Sequence, residues 1–147
     1  MASSVSARAR RSPADEAWGL LHKLMLSQRR RFITVAAELD LHPAQAGALL
    51  QMEPDAPVPM NELATMLHCY NSNVTGIVDR LEARALVARV PDEHDRRVKR
   101  VVLTALGAQA RERVRSTMSS APDAFRRLTP ADQRALRDIL RRALGEA

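Results

Sequence analysis

At residue 86 the spacing of the apolar side chains changes period. Before it, Leu63, Ala64 and Leu67, then Val74, Ile77, Val78 and Leu81, recur at three- and four-residue intervals, the spacing of buried helix faces. After it come two β-branched runs, LVARV (86–90) and VKRVVLT (98–104). They are separated by PDEHDRR, a charged stretch that offers no large apolar side chain to bury. Two short helices, a turn at Cys69-Tyr70-Asn71 and a polar-tipped hairpin follow one another directly. That order leaves few folds open. It predicts a mainly α chain with a small β-hairpin wing (α+β), a winged helix-turn-helix.

The flanking segments are helical. Trp18, Leu21, Met25, Phe32, Val35 and Leu39 fall on one face at spacings of three, four and seven. They predict a helix over 14–39, with a heptad-like stripe suited to a partner helix, including one from a second chain. Gln28 is its polar break, and Arg29-Arg30-Arg31 interrupts it. His42-Pro43 opens a short helix through Met52, with Pro in the first helical position. EPDAPVP (53–59) holds three prolines in seven residues and reads as irregular loop. Asn61 is placed to cap the next helix, which is followed by another from Ser72 to Ala85. Thr104 caps a helix reaching Met118, and Pro122 punctuates it. Thr129-Pro130-Ala131-Asp132 has the cap, proline and acid of a helix start. Leu136, Ile139, Leu140, Ala143 and Leu144 then form a last apolar stripe. The chain is organised as a flexible basic arm over 1–12 and one domain over 13–147. Within it the winged helix spans about 42–104, between pairing helices at about 14–39 and 105–145.

Charge narrows the class. The net charge is +6, and Lys23 and Lys99 are the only lysines. The remaining cations are arginines, whose planar donor fork suits phosphates and guanine edges. An anionic polymer is the expected partner. Hydrophobic residues at 46% and charged residues at 27% of 147 residues fit one folded domain and argue against wholesale disorder. The single cysteine, Cys69, rules out an internal disulfide and a thiolate zinc knuckle. Cys69 reads first as a packed thiol. The four histidines have no i, i+4 pair, so no helical metal site is written, and no cofactor is expected. Glycine-rich phosphate loops and nucleophile motifs are missing, so the chain is not read as an enzyme. No apolar run approaches the roughly 18–20 residues that cross a bilayer, and the N-terminus lacks a secretory core. A cytoplasmic protein without membrane contact is expected.

The helix from Ser72 presents Ser72, Asn73, Thr75, Gly76, Asp79, Arg80 and Arg84 outward. Taken alone, such a face reads first as a solvated one. The wing alters the reading: Asp95-Arg96-Arg97 lies on a projecting tip, where arginines suit a narrow minor groove. Asp95 is placed to hold one of the guanidinium groups. The candidate DNA-contacting residues are Asn71, Ser72, Asn73, Thr75, Gly76, Arg80, Arg96 and Arg97. The alternative is an RNA-binding or protein-interaction module using the same basic helices. Aromatics at 3% leave few side chains for base stacking, which counts against RNA.

Residues 60–107 resemble the winged helix of the multiple-antibiotic-resistance regulator (MarR) family. The matching pieces are LA-x-x-L (Leu63, Ala64, Leu67), VT-x-x-VDRLE (Val74 to Glu82), LV-x-R (Leu86 to Arg89), DRR (Asp95 to Arg97) and V-x-LT-x-x-G (Val101 to Gly107). The resemblance implies a homodimeric transcription factor, most often a repressor, on a pseudo-palindromic double-stranded operator. It implies dimerisation through the first and last helices, and release by a small phenolic or aromatic ligand. It places Ser72, Asn73, Thr75 and Gly76 in the major groove, Arg97 in the minor groove and Asp95 as its brace. His22, Met25 and Arg29 are the candidate ligand contacts. Two positions depart from the pattern. Ala85 stands where the family usually has Gly, so the helix end is expected to close differently. His42 replaces a Thr or Ser cap, so that cap is expected to be weak.

Overall fold

The computed structural model describes residues 12–68 and 71–146. Residues 1–11 of the predicted 1–12 arm and the Cys69-Tyr70 part of the predicted turn lie outside the described residues, and Ser12, the last arm residue, caps the first helix. Among the described residues, seven helices and a three-stranded sheet follow in the order α1 (Pro13–Glu38), α2 (Pro43–Gln51), β1 (Val58–Pro59), α3 (Met60–Met66), α4 (Asn71–Ala83), β2 (Val87–Pro91), β3 (Lys99–Leu103), α5 (Ala105–Ser119), α6 (Asp123–Arg126) and α7 (Pro130–Leu144). Among the described residues no helix is long and apolar enough to cross a membrane.

Local chemistry explains most helix starts. Ser12 and Asp15 form a reciprocal capping box at α1, with Asp15 N–H donating to Ser12 Oγ at 3.1 Å. Thr104 Oγ1 accepts from Gly107 N–H at 3.0 Å and Thr129 Oγ1 from Asp132 N–H at 3.2 Å. The expected weakness at His42 is not found. Its Nδ1 accepts from Ala44 N–H at 3.3 Å, and its own N–H donates to Gln45 Oε1 at 2.8 Å. An imidazole acceptor thus does the work of a hydroxyl. Asn61, by contrast, is not a cap: α3 starts one residue before it, after Pro59, without a side-chain cap bond.

Two elements were not expected. Val58–Pro59 pairs with β3 as a short antiparallel strand, with Val58 opposite Val101 and Pro59 opposite Arg100. A proline lacks the N–H of a ladder donor but is tolerated on an edge strand, and the sheet order β1-β3-β2 puts it there. The four-residue α6 follows Pro122, which supplies the extended residue before a helix start. The hairpin of β2 and β3 forms as predicted, in register from Val87 opposite Leu103 to Pro91 opposite Lys99.

The core lies where α2, α3, α4, the sheet and the adjoining parts of α1 and α5 converge. Leu49, Met52, Leu63, Val74, Val78, Leu81, Val87, Val101 and Val114 are fully buried. Only the C-terminal end of the α1 stripe joins them, through Val35 and Ala36. Trp18 and Met25 on the same helix are 63% and 54% exposed, and no residue of α7 is buried.

The end of α4 also differs from expectation. Ala85 takes the left-handed conformation at φ 55° that glycine usually supplies. Leu86 N–H donates to Leu81 O at 3.0 Å and Ala85 N–H to Glu82 O at 2.8 Å, the paired bonds of a Schellman closure. Thr104 Oγ1 adds a bond to Ala85 O at 2.6 Å. The helix therefore closes as it would with glycine, and the backbone strain is retained.

Candidate nucleic-acid interface

Helix α4 carries most of the candidate residues. Val74, Val78 and Leu81 pin one face to the core, which turns the opposite face outward. Asn71 and Ser72 open the helix; their side chains lie outside the described residues. Asn73, Thr75 and Arg80 are exposed. At Gly76 a Cβ would meet nothing within 4 Å, so the backbone there borders open space. This end of α4 presents small polar side chains and an approachable backbone, suited to base edges in a groove.

Two other residues expected on that outward face are engaged elsewhere. Arg84 reaches back to the end of α1, where its guanidinium donates to the carbonyls of Asp40 and Leu39, the latter at 3.1 Å. Asp79 accepts from Arg89 Nη2 of β2 at 2.5 Å. Arg89 Nη1 also pairs with Glu82 Oε2, and Arg89 N–H donates to Glu82 Oε1 at 3.2 Å. Hydrogen bonding to Asp79, more than to Glu82, raises the Arg89 pKa above its usual value, against the opposing effect of burial.

The wing is organised by Asp92, which the sequence reading did not single out. Its carboxylate accepts from His94 N–H at 2.7 Å and Asp95 N–H at 3.0 Å, and pairs with Arg100 Nε. These three donors, the backbone bonds first, lower its pKa to about 2. An Asp directly after Pro91 at the start of a polar turn was the available signal, because Asp side chains bond their own backbone two residues on. Asp95 braces the tip differently from the expectation. It holds the backbone N–H of Arg97 at 2.9 Å, and no bond from it to a guanidinium is seen among the described residues. The backbone is nearer than a flexible guanidinium, and the Arg96 and Arg97 side chains stand exposed on the turn.

The candidate ligand residues lie away from this region. His22, Met25 and Arg29 are exposed along α1. Of the neighbouring basic cluster, Arg31 is the anchored member: it donates to Ser120 O at 2.9 Å and Ser120 Oγ at 2.7 Å, tying α1 to the end of α5.

Known proteins share this arrangement. The sequence model of the MarR family matches residues 39–98. The uncharacterized HTH-type transcriptional regulator YfiV of Bacillus subtilis (strain 168) is 30% identical over 93 residues, 63% of this chain and 58% of YfiV. The chain thus spans less than two thirds of that relative's length. Transcriptional regulator Tm0710 from Thermotoga maritima superposes with a TM-score of 0.73 at 26% identity, over 89% of this chain and 93% of its own. Wild-type MarR from E. coli gives a TM-score of 0.68 at 25% identity, over 85% and 94%. A mutant of S. aureus MepR bound to an oligodeoxyribonucleotide gives 0.71 at 20% identity, over 88% and 96%. With the family match running through its winged helix and the fold shared along most of its length, this chain is similar to MarR-family proteins and has their winged-helix fold.

Proposed function

We propose that the chain is a double-stranded DNA-binding transcriptional regulator, a cytoplasmic homodimer that represses from a pseudo-palindromic operator. The observation that carries this reading is the pairing of two exposed features on one winged helix. One is Asn73 and Thr75 at the start of α4; the other is Arg96 and Arg97 on the wing. The helix face suits sequence readout in the major groove, where each base pair shows its own donor and acceptor pattern. The wing arginines suit the narrow, electronegative minor groove. Arg80, Asn71, Ser72 and Gly76 complete the contacting set. The DNA-bound form of MepR, which has the same fold, supports the polymer class.

The homodimer reading is supported by apolar surface that the monomer leaves uncovered on α1 and α7, including Trp18, Leu20, Ile139 and Leu144. For a small aromatic or phenolic effector the contacts we assign are His22, Met25 and Arg29, which recur at helical spacing on an exposed face of α1.

Selection of bound sites from random duplex DNA, followed by footprinting, tests the function. Two inverted half-sites about one helical turn apart, ~10 bp centre to centre, are expected. A single asymmetric half-site bound with full affinity would contradict the dimeric reading. Retention of structured RNA in preference to every duplex would support the RNA-binding alternative.

A further inference from the structure

Arg89 has an arrangement that neither a solvated strand residue nor a DNA contact requires. It sits in the middle of β2, opposite Val101 of β3. Its guanidinium spans two carboxylates one turn apart on α4, Asp79 at 2.5 Å and Glu82. Its backbone N–H holds the second oxygen of Glu82 at 3.2 Å. The Arg89 side chain is only 25% exposed, whereas Asp79 is 58% exposed. A planar guanidinium fork can meet two carboxylates at once; an ammonium of the same charge is a point donor.

The position of this fork matters because of what lies on either side. Asp79 and Glu82 belong to the helix whose first turns carry Asn73 and Thr75. Arg96 and Arg97 occupy the tip of the hairpin that Arg89 enters. The three-residue cluster therefore ties α4 to the strand leading to the wing. Without Arg89, two carboxylates on α4 would also face a polyanion uncompensated.

We infer that Arg89 is a positioning residue: by clasping Asp79 and Glu82 it sets the span between α4 and the wing, and so the preference for operator over other duplex DNA. The inference rests on the DNA-binding reading above. It assigns Arg89 no contact with DNA. Generic charge acts alike on operator and random duplex, because phosphate contacts carry little sequence information. A change in span acts on the ratio of the two affinities, because base contacts need exact register.

The test is a titration of operator and random duplex with the full chain, its Arg89→Lys variant, an Asp79→Asn/Glu82→Gln variant, and the three substitutions combined. Arg89→Lys retains the charge and loses the fork. It is expected to bind random duplex as the wild type does and to lose roughly tenfold in operator preference. The helix-side variant, approached from the other partner, is expected to lose preference to a similar extent. The combined variant is expected to lose no more than either alone, since the clasp can be broken only once. Circular dichroism and melting confirm that each variant is folded. Should Arg89→Lys prove unfolded, the helix-side variant alone decides the matter through its operator preference. Unchanged preference in the folded variants, or losses that add in the combination, would overturn the clasp while leaving DNA binding intact. A wild-type protein that binds no duplex would overturn the DNA-binding reading, and the clasp with it.

Discussion

Gly107 presses so closely on Leu86 that a Cβ built on it would stand 1.8 Å from the Leu86 carbonyl oxygen. That oxygen also accepts Thr104 N–H at 3.1 Å. The contact joins the first turn of α5 to the residue just before β2, so the seam between wing and flanking helices depends on a missing side chain. Gly107→Ala forces the two backbones apart. It is expected to cost about 3 kcal/mol, the upper end of ordinary overpacking, and to lower the melting temperature by roughly 10 °C. Differential scanning calorimetry checks this; an unchanged melting temperature would show that the seam can open freely.

Ala85 presents the opposite case. Its left-handed conformation strains an L-residue, and the surrounding bonds hold it there. Ala85→Gly removes the strain at some cost in unfolded-chain entropy, so a net gain of roughly 0.5–1 kcal/mol is expected. Denaturant unfolding measures it. A less stable glycine variant would mean that the Ala85 methyl group contributes packing worth more than the strain.

Asp92 makes the wing sensitive to acid. Its folded pKa of about 2 lies below the ordinary 3.8, so it stabilises the folded state when ionised. That contribution is present above about pH 4 and is lost as the pH falls toward about 2. Asp92→Asn is expected to melt below the wild type near pH 6, with the gap narrowing as the pH drops through that window. Melting curves across the range test it, and a gap that widens in acid would contradict the assignment.

The uncovered apolar residues of α1 and α7 predict self-association. Light scattering at micromolar concentration is expected to give about 33 kDa, twice the 16.3 kDa chain. Charges placed by Leu21→Glu or Ile139→Glu are expected to return it to a monomer. A wild-type mass near 16.3 kDa would refute the dimer.

What the sequence made legible was whatever repeats locally. The period change at Leu86 located the hairpin, and the Thr104 and Thr129 signals located two helix starts, because each depends on residues a few positions apart. Val58–Pro59 and α6 are too short to carry a period. The arginine contacts were hidden for another reason. Arg84 was read outward from helical phase alone, but its partners at Leu39 and Asp40 lie on a distant segment that only folding brings near. Arg89 likewise meets Asp79 and Glu82 across a helix–strand boundary. Long side chains choose partners in space, and spacing along the chain does not encode that choice. At Ala85 a local rule did apply, and the bonds from Leu86 and Thr104 overrode it.

If α4 reads base edges while the wing holds the backbone, titration of operator and random duplex at several salt concentrations separates the two roles. Arg97→Ala is expected to weaken both duplexes alike and to flatten the slope of log affinity against log salt by about 1. Asn73→Ala and Thr75→Ala are each expected to cost roughly 1–3 kcal/mol on the operator, with random-duplex binding and its salt slope nearly unchanged. Alanine favours a helix more than either residue it replaces, so lost helix propensity would not account for such a result. Intact binding by Arg97→Ala, or intact operator preference in both helix variants, would contradict the account.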